Sequence, residues 1–202
     1  HSDSPCFKIK RLSEIESGKY IKINTERYGG MLYSTWLDRP LSVAGRVIIR
    51  DGGKLKTRLV APDEDILIIP NVAIHMNRSA NDGFSYNPAV DLVPIYSSDS
   101  GKSTFLSKIA AYAGAKPEDI VDFDLFVVNR QEGFIWGNAG EYFSAPRIDD
   151  LQCAFAVAEA ITIAKEKSGF PVCAVFDNEE VGSLTKQGAD STFLADTLYR
   201  IC

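Results

Sequence analysis

The sequence predicts a β-rich unit followed by an α/β unit, with the change of character near residue 145. Three observations carry this expectation. Alternating apolar runs and turn signals fill the first two-thirds of the chain. A long helical pattern begins only at Leu151. A fully apolar run at 172–176 then stands between two helical patterns, the order expected of α/β architecture.

The elements follow in order. Residues 20–24 alternate and predict a strand. Residues 41–50, rich in Val and Ile, predict a second, and Asp51-Gly52-Gly53 predicts the tight turn that leads into a returning strand over 54–60. A short apolar run at 65–69 is closed by Pro70. Residues 77–103, rich in Asn, Ser, Asp, Pro and Gly, read as a long loop region of the kind that often carries function. Phe105 to Tyr112 predicts a helix stopped at Gly114. Residues 122–128 alternate again, with Phe123, Leu125 and Val127 on one face. From 151 to 167 the spacing of Ala154, Phe155, Ala158 and Ile161 predicts a helix, with Lys165 and Lys167 near its C-terminus and Ser168-Gly169 as its stop. A last amphipathic helix is expected from about Ser191 to the end.

Composition narrows the function classes. The 202 residues are 45% apolar and 24% charged, which suits a globular chain and excludes collagen, coiled coil and disorder. Net charge is −5, without the basic stripe that nucleic-acid binding needs. No apolar run approaches the ~20 residues that span a bilayer. Cys6, Cys153, Cys173 and Cys202 form no CxxC pair and suggest buried, reduced thiols in a cytoplasmic protein. The chain opens on His1 rather than Met and ends inside a helical pattern, so it reads as a segment of a longer protein, cut at both ends.

Three short stretches could carry chemistry. Asp177-Asn178-Glu179-Glu180-Val181-Gly182-Ser183 follows directly on the apolar run at 172–176, where α/β sheets bind ligands. Adjacent glutamates repel unless a cation holds them; one could ligate a metal while its neighbour acts as a base. The plainer alternative is a solvated acidic loop. Arg147-Ile148-Asp149-Asp150-Leu151 offers two aspartates where one would serve as a helix cap. His1-Ser2-Asp3 pairs a metal-ligand type with a carboxylate able to set its tautomer. The other histidine, His75, lies in Ile69-Pro70-Asn71-Val72-Ala73-Ile74-His75-Met76. Two further motifs fail. Ser100-Gly101-Lys102-Ser103 lacks the first glycine of a phosphate loop, because Tyr96 stands there. Cys153 and Cys173 lie in apolar stretches, which favours burial over a Cys–His dyad.

Taken together these stretches resemble the aspartyl aminopeptidase family of dinuclear metallo-aminopeptidases, which includes the yeast vacuolar aminopeptidase. Tyr28-Gly29-Gly30, Trp36-Leu37-Asp38-Arg39-Pro40-Leu41-Ser42-Val43-Ala44-Gly45-Arg46-Val47, the run ending at His75, and Gln187-Gly188-Ala189-Asp190-Ser191 agree as well.

The resemblance implies an α/β core of the zinc-exopeptidase type, formed here by residues 1–10 and 141–202. A β-rich, barrel-like insertion over 11–140 would make dimer contacts. It implies two divalent metal ions, with zinc foremost and Mn or Co compatible with the same donors. His1, Asp149 and Glu180 would be ligands, with Asp149 shared between the ions. Asp3 would support His1, and Glu179 would be the general base. His75 would reach a neighbouring subunit's site and bind substrate.

The implied partners are peptide substrates and copies of the chain itself, in a dodecamer built from dimers. Nucleic acid and membrane are not among them. Asp150 stands where many members of the family carry Asn. The family's further Asp and His ligands fall beyond residue 202, so this segment alone is expected to be inactive. The competing reading is a non-enzymatic assembly module with an incomplete metal site.

Overall fold

The computed structural model describes residues 1–98, 104–165 and 169–201. Ser100-Gly101-Lys102-Ser103, Lys167-Ser168 and Cys202 lie outside the described residues. The chain divides into two compact units. One comprises residues 1–5, 28–30 and 131–202, the other 6–27 and 31–130. Among the described residues, no helix is long and apolar enough to cross a membrane.

The second unit is a β-barrel. Its strands are β1 (Cys6–Ser17), β2 (Tyr20–Tyr28), β3 (Pro40–Asp51), β4 (Lys54–Val60), β5 (Leu67–Ile68), β6 (Ile95–Ser97) and β7 (Ile120–Val128). Hydrogen bonding runs β3-β5-β6-β2-β1-β7, and β7 pairs back onto β3, which closes a ring of six strands. β4 hangs outside the ring on β3, joined by the predicted turn, in register from Asp51↔Lys54 to Gly45↔Val60.

Closure follows from the two-residue period of the strands, which sends one apolar row inward. Leu41, Val43, Val47 and Ile49 of β3, and Leu125 and Val127 of β7, are all at most 4% exposed. Gly45 interrupts that row for a steric reason. Its φ is +149°, and a Cβ there would overlap the carbonyl oxygen of Asp124. α1 (Phe105–Tyr112) buries Phe105 and Ile109 in the same core. Thr104 caps it by accepting from the Ser107 N–H at 3.1 Å, and Gly114 at φ +62° ends it.

β1 and β6 are elements that the sequence pattern does not predict. Residues 6–10, expected in the α/β core, begin β1 and pair with β7 through Phe7↔Val127. β6 lies inside the stretch read as loop.

The first unit holds a hairpin of β8 (Phe134–Trp136) and β9 (Tyr142–Ser144), α2 (Ile148–Ile163), a 3-10 turn at Glu179–Val181, and α3 (Phe193–Ile201). Several expectations are corrected here. The run 172–176 forms no strand. A strand needs a ladder partner, and this run instead meets Ser2 at one point, the Phe176 carbonyl accepting from the Ser2 N–H at 2.9 Å and from the Ser2 hydroxyl at 3.3 Å. α2 ends at Ile163, and its apolar side is not covered, since Phe155 is 67% exposed. The expectation of buried thiols also fails, because Cys153 is exposed and Cys6 and Cys173 are only partly buried. The cause for Cys153 is the same uncovered helix.

Candidate metal centre

The site is built from four short pieces of the first unit. The chain start supplies His1 and Asp3. Tyr28, the last residue of β2, supplies a phenol. The opening of α2 supplies Asp149 and Asp150, and the turn after residue 176 supplies Asn178, Glu179 and Glu180.

Two local conformations aim these groups. Asn178 is left-handed, at φ +60°, and starts the 3-10 turn so that the backbone N–H groups of Glu179 and Glu180 point the same way. Both donate to Asp3, Glu179 to Oδ1 at 3.2 Å and Glu180 to Oδ2 at 3.1 Å. At the other carboxylate pair, Asp149 and Asp150 leave helical geometry within the first turn of α2, and the peptide bond between them is cis. Arg147, at the assigned start of α2, makes no side-chain cap, but Asp150 accepts from the backbone N–H of Cys153, three residues on, as a helix cap does. Asp150 also accepts from the backbone nitrogen of His1 at 2.7 Å.

Asp3 determines the state of His1. Nδ1 of His1 lies 3.2 Å from Asp3 Oδ1 and 3.0 Å from the Asp3 carbonyl oxygen. Both are acceptors only, so Nδ1 carries a proton, and Nε2 is the ring nitrogen turned toward the other acids. More carboxylate oxygen surrounds it. Asp149 Oδ1 is 3.2 Å away and Glu179 Oε2 is 3.5 Å away. Single ligand atoms of His1, Asp149 and Glu180 all fall within 4.8 Å of one another.

Imidazole nitrogen and carboxylate oxygen at this spacing need a proton or a metal cation between them, and they are the donor types that zinc takes. A carboxylate behind a histidine is the usual support for such a ligand. The residues present thus fit a divalent metal ion.

Electrostatics agree with that fit. Burial first, then the charges of Glu179, Asp149 and Asp3, push the Glu180 carboxyl above its ordinary range. Burial likewise raises the Tyr28 phenol well above its ordinary value, so it stays protonated and can donate to Asp3 Oδ2 at 2.7 Å.

The structure therefore brings together five of the six residues singled out from sequence, His1, Asp3, Asp149, Glu179 and Glu180. His75 lies in the barrel unit, exposed in a turn at residues 74–76 beside exposed Val72, Ile74 and Met76. Tyr28, Asn178 and Thr185 join the site without a role expected from sequence. The Tyr28-Gly29-Gly30 motif and the acidic stretch 177–183 were the available signals for the first two; no spacing rule marks Thr185.

The family model for "Aminopeptidase I zinc metalloprotease (M18)" matches residues 1–202. A probable M18 family aminopeptidase 2 of Clostridium acetobutylicum is 49% identical, aligned over 100% of this chain and 48% of its own length. The aspartyl aminopeptidase of Dictyostelium discoideum is 36% identical, over 100% of this chain and 50% of its own. Among solved structures, that of the S. cerevisiae mApe1 dodecamer superposes with a TM-score of 0.81 at 27% identity, covering 99% of this chain and 47% of that one. The chain belongs to the aminopeptidase I zinc metalloprotease family. It spans about half the length of the curated relatives it matches.

Proposed function

We propose that the full-length polypeptide is a metal-dependent aminopeptidase that removes N-terminal residues from peptides, acting on N-terminal Asp or Glu. The observation that carries this reading is the imidazole of His1, held at Nδ1 by Asp3 with its Nε2 turned toward Asp149 and Glu179. In this reading His1, Asp149 and Glu180 would hold two divalent ions, zinc foremost, with Asp149 serving both. Such ions, when bound, polarise a scissile carbonyl and make water acidic enough to attack near neutral pH.

The chain's own residues do the rest. Glu179, half exposed beside the ligands, takes a proton from the attacking water and returns it to the leaving amine. Asp3 keeps His1 in one tautomer. His75 binds substrate in a neighbouring subunit's site. The unit that holds the cluster is part of the peptidase core. The barrel is the inserted domain that makes dimer contacts, within a dodecamer like that of the yeast protein. The free thiols of Cys153 and Cys173 fit a reducing, cytoplasmic compartment.

The test is hydrolysis of short peptides by the full-length polypeptide. Unblocked peptides beginning with Asp or Glu are expected to be shortened by one residue at a time. N-acetylated versions should be left intact. Chelation should abolish the activity, and added zinc should restore it. Intact unblocked peptides in the presence of zinc would leave the assembly-module reading standing instead.

A further inference from the structure

We propose that Tyr28 is a positioning residue of the metal centre, its hydroxyl completing the set of hydrogen bonds that holds Asp3 and, through Asp3, the imidazole of His1. This rests on the reading of His1 as a metal ligand.

The Asp3 side chain is only 8% exposed, so its oxygens need donors from the protein. Oδ1 receives the Glu179 N–H at 3.2 Å and lies 3.2 Å from His1 Nδ1, whose hydrogen bond goes to the Asp3 carbonyl oxygen at 3.0 Å. Oδ2 receives the Glu180 N–H at 3.1 Å and the Tyr28 hydroxyl at 2.7 Å. Tyr28 makes the shortest of these contacts, and its direction is fixed from behind. The amide nitrogen of Asn178 can only donate, and it donates to Tyr28 Oη at 2.9 Å. Asn178 is itself oriented by the Thr185 hydroxyl, which donates to Asn178 Oδ1 at 2.8 Å. The proton of Tyr28 is therefore committed to Asp3, and donation runs one way, from Thr185 through Asn178 and Tyr28 to Asp3.

The backbone is shaped for this approach. Gly29, at φ +76°, lies so close to the 3-10 turn that a Cβ would sit 2.9 Å from Glu180 Cβ and 3.3 Å from the Glu180 carbonyl oxygen. A glycine after Tyr28 lets the chain pass against the very residue whose N–H shares Asp3 with the phenol. Loss of the hydroxyl frees one side of Asp3 to rotate, and His1 loses its fixed orientation.

The test measures zinc affinity of the metal-free full-length polypeptide by chelator competition, alongside its unfolding midpoint. Tyr28→Phe is expected to weaken affinity about tenfold, the lower end of the effect of losing a ligand's support, with the midpoint unchanged. In an Asp3→Ala background the same change should cost nothing further, because Tyr28 acts through Asp3. A packing role would give additive losses and a lowered midpoint. Thr185→Val, at the far end of the chain of donors, should give a smaller loss of the same sign. Wild-type affinity in Tyr28→Phe, or additive losses, overturns the proposal. His1→Ala is the control. If it retains full affinity, the metal-centre reading fails and this inference with it. If it loses affinity while Tyr28→Phe does not, only this inference fails.

Discussion

Glu179→Gln in the full-length polypeptide is expected to lower turnover by about 10²- to 10⁴-fold, the usual contribution of a general base, while bound metal stays near the wild-type amount. Glu180→Gln is expected to lose metal as well as activity. The two residues are adjacent, yet their surroundings differ. Glu180 belongs to the group of converging ligand atoms with His1 and Asp149. It is partly buried, and its carboxyl is pushed upward by burial and by neighbouring acids, the situation a bound cation relieves. Glu179 is 54% exposed and open to a water and a leaving group. Metal content after dialysis, measured beside kcat for both variants, checks the pair of roles. Equal metal loss in the two would contradict them.

Two inactive proteins are expected to rescue each other if His75 serves a neighbour's site. A His75→Ala subunit keeps its own Glu179, and a Glu179→Gln subunit keeps its own His75. In a mixed dimer, one of the two shared sites then receives both intact groups. Half of randomly assorted dimers are mixed, so about a quarter of wild-type turnover should return after reassembly at equal ratio, given an interface that places each copy's residues in the other's site. His75 is exposed among apolar neighbours in a turn, where a partner can meet it. The measurement is activity after dissociation and remixing, with mixed oligomers verified by mass. Verified mixing without recovery counts against a shared site.

The sequence revealed strands wherever alternation was strong and local. β3 and β4 were legible because residues 41–50 are rich in Val and Ile and Asp51-Gly52-Gly53 supplies the turn. β1 was missed because its exposed half, from Lys10 to Ser17, carries charged and polar residues on both faces. β5 and β6 are too short to show a period. The run 172–176 misled because apolar composition reports a wish for burial, not the presence of a partner. At the site, the ligand types were visible because His and paired acids are scarce and specific. The donors behind them were not. Tyr28 reaches Asp3, and Thr185 reaches Asn178, through tertiary contact, and no sequence period brings residues 3, 28, 178 and 185 together.

The barrel ring is not equally strong around its circumference. β3 and β7 are zipped along eight register positions from Ser42↔Val128 to Ile49↔Ile120. Across the ring, β5 meets β3 only at Pro40↔Ile68 and Leu41↔Leu67, and meets β6 only at Ile68↔Ile95. Pro40 has no N–H to give. In native-state hydrogen exchange, amides of β5 and β6 are therefore expected to exchange through local opening at low denaturant, and those of β3 and β7 only through global unfolding. The ring behaves as a clasp with one hinge-like side and one latch, and the latch is β5.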